Sequence, residues 1–196
     1  MIGGSNPSTP ENIFNNNNMN IKEAVVGAVV TVIVGGTAYT VSQSDIVDNF
    51  AEDTGLSQEQ AEEYVNSIDE EELATFDEIG SFLIKDGEDL LEIATGIDCV
   101  NYEYEWESTT LSCDQGKEQL NKIGNNTISL GQAYRKLDTD SASEEDISIT
   151  IDFIDVVQED YNYEIVKSIL DDEFIEEQRK TSSYNKALLE ALLESE

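Results

Sequence analysis

The stretch Ala24–Val41 (AVVGAVVTVIVGGTAYTV) constrains this chain more than any other, because it carries no charge in a protein with 43 acidic side chains. The uncharged window runs on to Ser44, bounded by Lys22 and Glu23 on one side and Asp45 on the other. As a helix rising 1.5 Å per residue, about 18 residues come close to the ~30 Å hydrocarbon core of a bilayer. Gly27, Ala28, Gly35 and Gly36 are small residues of the kind that membrane helices accept and water-exposed helices avoid. The first expectation is a single-pass transmembrane anchor over 21–43. Two other readings stay open. A secretory signal peptide would start at Met19, with Gly36–Ala38 as its small-residue cleavage site and Lys22, offset by Glu23, as its only n-region cation. A core helix or sheet element is the third, since a Val-rich apolar run does not by itself separate a strand from a helix.

The flanks of this run set an orientation. Lys22 is the only nearby cation, whereas Asp45, Asp48, Glu52 and Asp53 follow the run. The positive-inside tendency then leaves the N-terminus in the cytoplasm and the acidic domain outside. Lys22–Val41 also resembles the hydrophobic N-terminal segment of archaeal pilin-like proteins, without their basic cleavage motif. Residues 1–20 (MIGGSNPSTPENIFNNNNMN) hold both prolines and almost nothing to bury, and read as a flexible Asn-rich tail.

With 196 residues the chain is long enough for an acidic helical domain over 44–196 besides the anchor and the tail. Ten Lys and Arg against 43 Asp and Glu leave a net charge of −33. Self-repulsion on that scale opposes a compact state at low ionic strength, and salt screens it. The pattern resembles proteins of extreme halophiles, whose surface carboxylates hold hydrated monovalent cations. A hydrophobic content of 39% with helical periodicity argues against disorder throughout. Nucleic-acid binding is excluded as a class, because no basic stripe is present to displace phosphate counterions.

Cys99 and Cys113 are the only cysteines. In a chain with a membrane or export signal they read as a disulfide, with two free thiols as the cytoplasmic alternative. Asn125–Asn126–Thr127 fits the N-glycosylation pattern, making Asn125 a candidate acceptor if the domain lies outside.

From Ser44 onward the chain reads as short amphipathic helices. Ile46, Val47 and Phe50 make one apolar face that ends near Gly55. Ser57 with Gln60, and Thr75 with Glu78, are capping boxes that start the next two helices. The first carries Ala61, Tyr64, Val65 and Ile68. The second carries Phe76, Ile79, Phe82 and Leu83, passes a weak point at Asp86–Gly87, and continues through Leu90, Leu91 and Ile93 to a stop near Gly96. Asp45–Ile68 resembles the opening helical hairpin of bacterial histone-like DNA-bending proteins. That resemblance covers the hairpin alone, lacks the basic arms, and reads as convergent helix-turn-helix packing.

Between the cysteines, Tyr102, Tyr104 and Trp106 alternate with Glu103, Glu105 and Glu107, a period of two that suits one strand of a small hairpin. These aromatics are the candidate partner-binding ridge; an extended crossover packed on the domain is the alternative. Beyond Cys113 a helix over 114–123 is expected to break at Gly124–Asn126 and resume over 127–137. Ser143 with Asp146 would cap a helix bearing Ile147, Ile151 and Ile154, although ISITIDF alternates well enough for a strand. Tyr161, Ile165, Ile169 and Phe174 define a further helix, and Tyr184, Ala187, Leu188, Ala191 and Leu192 a last one.

Chemistry is sparse. Without histidine the Ser-His-Asp and Cys-His arrangements and His-containing metal sites are unavailable. The Gly35–Gly36 pair lacks the lysine of a phosphate loop. In DTDSASEED, Asp138 and Asp140 match the first and third positions of a calcium loop, but Ala142, Ser143 and Ile149 stand where a ligand, a glycine and a bidentate Glu belong. Asp138 and Asp140 are therefore weak metal candidates within a solvated linker, and no cofactor is expected. The sequence thus predicts a mainly α, irregular bundle of short helices with at most one small β-hairpin and one N-terminal transmembrane helix. The expected function is a non-enzymatic surface or structural protein of a halophile or its virus, at the cell or virion membrane. Its extracytoplasmic acidic domain would contact other proteins or copies of itself. The alternatives are a secreted or envelope hydrolase working through carboxylates, and a soluble acidic adaptor with 24–41 in its core.

Overall fold

The computed structural model describes residues 20–21, 29–34, 36–68, 73–99 and 111–195. In chain order these form strands β1 (Asn20–Ile21), β2 (Val29–Val34) and β3 (Thr37–Ser42), helices α1 (Gln43–Thr54) and α2 (Gln58–Ser67), strand β4 (Leu73–Ala74), and helices α3 (Phe76–Gly96), α4 (Cys113–Leu137), α5 (Glu144–Asp160), α6 (Glu164–Ile169) and α7 (Asp172–Glu194). The described chain is mainly helical with one small antiparallel hairpin, β2–β3, while β1 and β4 make a short parallel pair.

The apolar run is the main correction. The described part of the expected anchor is a hairpin, and among the described residues no helix is long and apolar enough to cross a membrane. VVTVIV and TAYTVS are dominated by β-branched side chains, which suit a pleated sheet. Gly36 lies in the turn between the two strands and takes a φ of 74°, where a Cβ would be strained. The register pairs Val34 with Thr37 and Val29 with Ser42. One face enters the core, with Val32, Val34 and Val41 exposed by 0, 4 and 0%, while Ile33 on the other face is 54% exposed. The run is unbroken by charge because the outer face (Ile33, Ala38, Thr40) is uncharged as well.

Local signals placed most helices. Ser57–Gln60, Thr75–Glu78 and Ser143–Asp146 all form complete capping boxes, and Ser112–Gln115 adds a fourth that starts α4. Gly55, at a φ of 70°, ends α1. The α1–α2 pair is the helix-turn-helix expected over 45–68, and Phe50 stacks on Tyr64 with ring centroids 4.9 Å apart. Elsewhere tertiary packing overrides local preference. α4 runs unbroken through Gly124–Asn126, and α3 through Asp86–Gly87. ISITIDF is helical within α5. The helix expected from Tyr161 to Phe174 is divided, because Asp171 accepts from the Phe174 amide and starts α7 there.

The glycines inside α3 and α4 serve close packing of the two helices. The helices pack antiparallel with glycine on glycine, so that an ideal Cβ on Gly80 would lie 2.4 Å from the Gly131 carbonyl oxygen, and one on Gly87 2.5 Å from that of Gly124. Gly80 and Gly87 lie about two turns apart, as do Gly124 and Gly131, so the four positions line one seam. A disulfide between Cys99 and Cys113, with Cα atoms 5.6 Å apart, closes one end of this helical hairpin. In the chain-entropy model a loop of that length stabilises by ~3 kcal/mol. Beside it the Lys117 ammonium donates to the Ile97 carbonyl at 3.0 Å, capping the end of α3. Two apolar clusters flank the seam. The larger joins the hairpin to α1, α2, α5, α7 and the ends of α3 and α4 remote from the disulfide; the smaller gathers Leu90, Ala94, Ile97, Leu120, Ile123 and Ile165.

Candidate functional site

Three features stand out, each assembled by the packing above. The first is the hairpin surface. Its inner side chains sit on the core, whereas Ile33, Ala38 and Thr40 face outward together without a charge, a proline or a lysine. Strand edges present unpaired backbone N–H and C=O groups, and natural sheets usually blunt them with such residues.

The second is an ion cluster where α1, α5 and α7 meet. The Lys186 ammonium lies 2.6 Å from Asp155, 3.0 Å from Asp53 and 3.9 Å from Glu190, and its side chain is only 15% exposed. Burial alone would lower its pKa, but its hydrogen bonds to Asp155 and Asp53 outweigh that and hold it well above the usual lysine value. Burial also raises the Glu190 carboxyl, partly opposed by the same ammonium.

The third is an apolar cavity of about 120 Å³ among α3 to α7. Leu90, Leu120, Ile123, Ile165 and Phe174 supply much of its wall, and two carboxylates, Asp86 and Asp160, interrupt it. Asp86 is half-buried, accepts no hydrogen bond from any described residue, and is pushed up to about 6, first by desolvation and then by Asp89, with Lys85 opposing. Asp160 is 3% exposed, and its carboxylate accepts from the Asn126 amide at 2.8 Å. Burial raises its pKa, against the Asn126 hydrogen bond and the Lys122 charge.

The residues singled out from sequence fall elsewhere. Tyr102, Tyr104 and Trp106 lie outside the described residues. Asn125 is exposed on α4, but its side-chain amide donates to the Asn121 carbonyl at 2.7 Å. The Thr127 hydroxyl of the same tripeptide is buried on the Ile123 carbonyl, so the acceptor motif sits in a closed helix rather than a loop. Asp138 and Asp140 are exposed at the end of α4, and among the described residues no group of three or more metal-ligating side chains comes together. Among the described residues, Cys99 and Cys113 meet as a pair.

Sequence reasoning passed over the cavity and the ion cluster. Asp86 carried a signal: Phe82, Leu83, Asp86 and Leu90 fall on one helical face, which places a carboxylate within an apolar stripe. Lys186 carried none, since two of its partners come from α1 and α5, far away in sequence. No family model matches this chain, and no curated protein or solved structure is significantly similar to it.

Proposed function

We propose that this is a non-enzymatic protein of an extreme halophile, or of a virus infecting one, that stands outside the cell membrane and contacts partner proteins through its uncharged hairpin, a second copy of itself first among them. The observation that carries this reading is the exposed, uncharged outer face of β2–β3 (Ile33, Ala38 and Thr40) among the described residues of a chain of net charge −33. In molar salt the Debye length falls to ~3 Å, so that repulsion no longer keeps the hairpins apart. Hydrated monovalent cations held by the surface carboxylates are part of the same design. The Cys99–Cys113 bond supports an oxidising, extracytoplasmic address.

Sedimentation velocity in molar salt tests the association. The expected result is a concentration-dependent dimer that Ile33→Lys with Thr40→Lys converts to monomer while circular dichroism stays unchanged. A wild-type chain that remains monomeric at the highest accessible concentration overturns the reading.

A carboxylate-dependent hydrolase draws support from the two raised carboxylates at the cavity wall. Against it stands size. About 120 Å³ is less than the ~150 Å³ that holds a benzene ring, and a glycosidic bond needs a sugar on each side. A soluble adaptor requires the apolar run in the core and two free thiols. One face of the described run is in the core, but Cys99 and Cys113 are joined.

A further inference from the structure

We propose that the cavity among α3, α4, α5, α6 and α7 is a binding site for a compact aliphatic ammonium ion, its charge on Asp86 and its hydrocarbon part against Leu90, Ile123, Ile165 and Phe174. The inference is independent of association at the hairpin. Two halves of the cavity point to the two halves of such a ligand.

The apolar half needs filling. A space of about 120 Å³ lined by Leu, Ile, Val and Phe leaves its lining atoms without partners on one side, and an apolar group entering it recovers those contacts. The volume sets the scale: somewhat smaller than benzene, hence about five heavy atoms.

The polar half needs a donor. Asp86 has given up part of its hydration in this wall without receiving a hydrogen bond from any described residue. A carboxylate in that position is costly unless a cation or several donors meet it. Among the described residues the charged groups around it do not supply one: Asp89 on the same helix repels, Lys85 offsets this only in part, and Asp160 on the facing α5 is itself a carboxylate that accepts from Asn126. An ammonium group brings three N–H donors and a full charge, which an alcohol does not. The neighbouring Asp160 carboxylate, offset in part by the exposed Lys122, adds to the negative potential that would favour a cation inside.

Isobutylammonium chloride and isobutanol, matched in shape, separate charge recognition from plain cavity filling. Titrated into the full chain in molar sodium chloride at neutral pH, the amine is expected to shift the methyl resonances of Leu90 and Ile123 saturably, with isobutanol bound about tenfold more weakly. Asp86→Asn keeps the shape and removes the charge. It is expected to leave the thermal midpoint unchanged or raised, and to bring amine affinity down to that of the alcohol. A second arm needs no variant: with the Asp86 carboxyl pushed up to about 6, amine affinity should decline as pH falls through that value while alcohol affinity holds. Equal binding of amine and alcohol, an amine affinity indifferent to Asp86→Asn or to pH, or no saturable shift at all would each overturn the proposal.

Discussion

Replacing Gly124 and Gly131 together by alanine is expected to destabilise the domain strongly, although each change favours an isolated helix by about 1 kcal/mol. The reason is the seam between α3 and α4. A Cβ at Gly131 would stand 2.6 Å from the Gly80 carbonyl oxygen, and one at Gly124 would stand 2.9 Å from that of Gly87. Both obstacles are backbone, so the helices must separate. Overpacking of this kind typically costs ~1–3 kcal/mol per site, and separation also loosens the clusters on either side. The two sites share one displacement, so their effects do not simply add. The double variant should lose ~3 kcal/mol net, read as a lowered urea midpoint in high salt. Gly96→Ala is the matched control on α3, because nothing lies within 4 Å of a Cβ there, and it should be neutral or stabilising.

Lys186→Met is expected to cost nearly as much for an electrostatic reason. Removing the ammonium leaves Asp53, Asp155 and Glu190 facing one another, with the Asp53 side chain 18% exposed. Stripping one partner from a fully buried pair costs ~3–5 kcal/mol. Asp155 is half exposed, so about 2 kcal/mol is the appropriate scale here after screening. Lys186→Arg should recover much of the loss, and molar salt part of it. The sign with pH follows from the carboxylates left behind. Burial already raises the folded-state pKa of Glu190, and loss of the lysine raises it further. A group with a raised folded-state pKa binds protons more tightly when folded, so the variant should regain stability as pH falls and the carboxylates protonate. Chemical denaturation across the acid range checks both magnitude and sign.

These two sites also show which parts of the molecule could be read from sequence. Helix starts were legible because a capping box is local: Ser57 and Gln60 satisfy each other within one turn. Glycine was misread for the complementary reason. Judged one position at a time, Gly87 and Gly124 are weak points in a helix, whereas their spacing from Gly80 and Gly131 is the mark of a close helix pair. The apolar run misled because a hairpin with an uncharged outer face has no alternation to show; Ile33 is as apolar as the buried Val32 and Val34 beside it. The doubled glycine and the dense β-branching were the signals that favoured strands. The Lys186 cluster joins three helices and is a property of the packing alone.

The hairpin therefore bears the weight of the functional reading, and amide hydrogen exchange tests it most directly. In molar salt, with exchange followed by mass spectrometry at increasing protein concentration, peptides covering Val29–Val34 should slow markedly as copies pair along that strand, while those from Phe76–Gly96 stay constant. Exchange over Val29–Val34 that does not respond to concentration would contradict self-association through this hairpin.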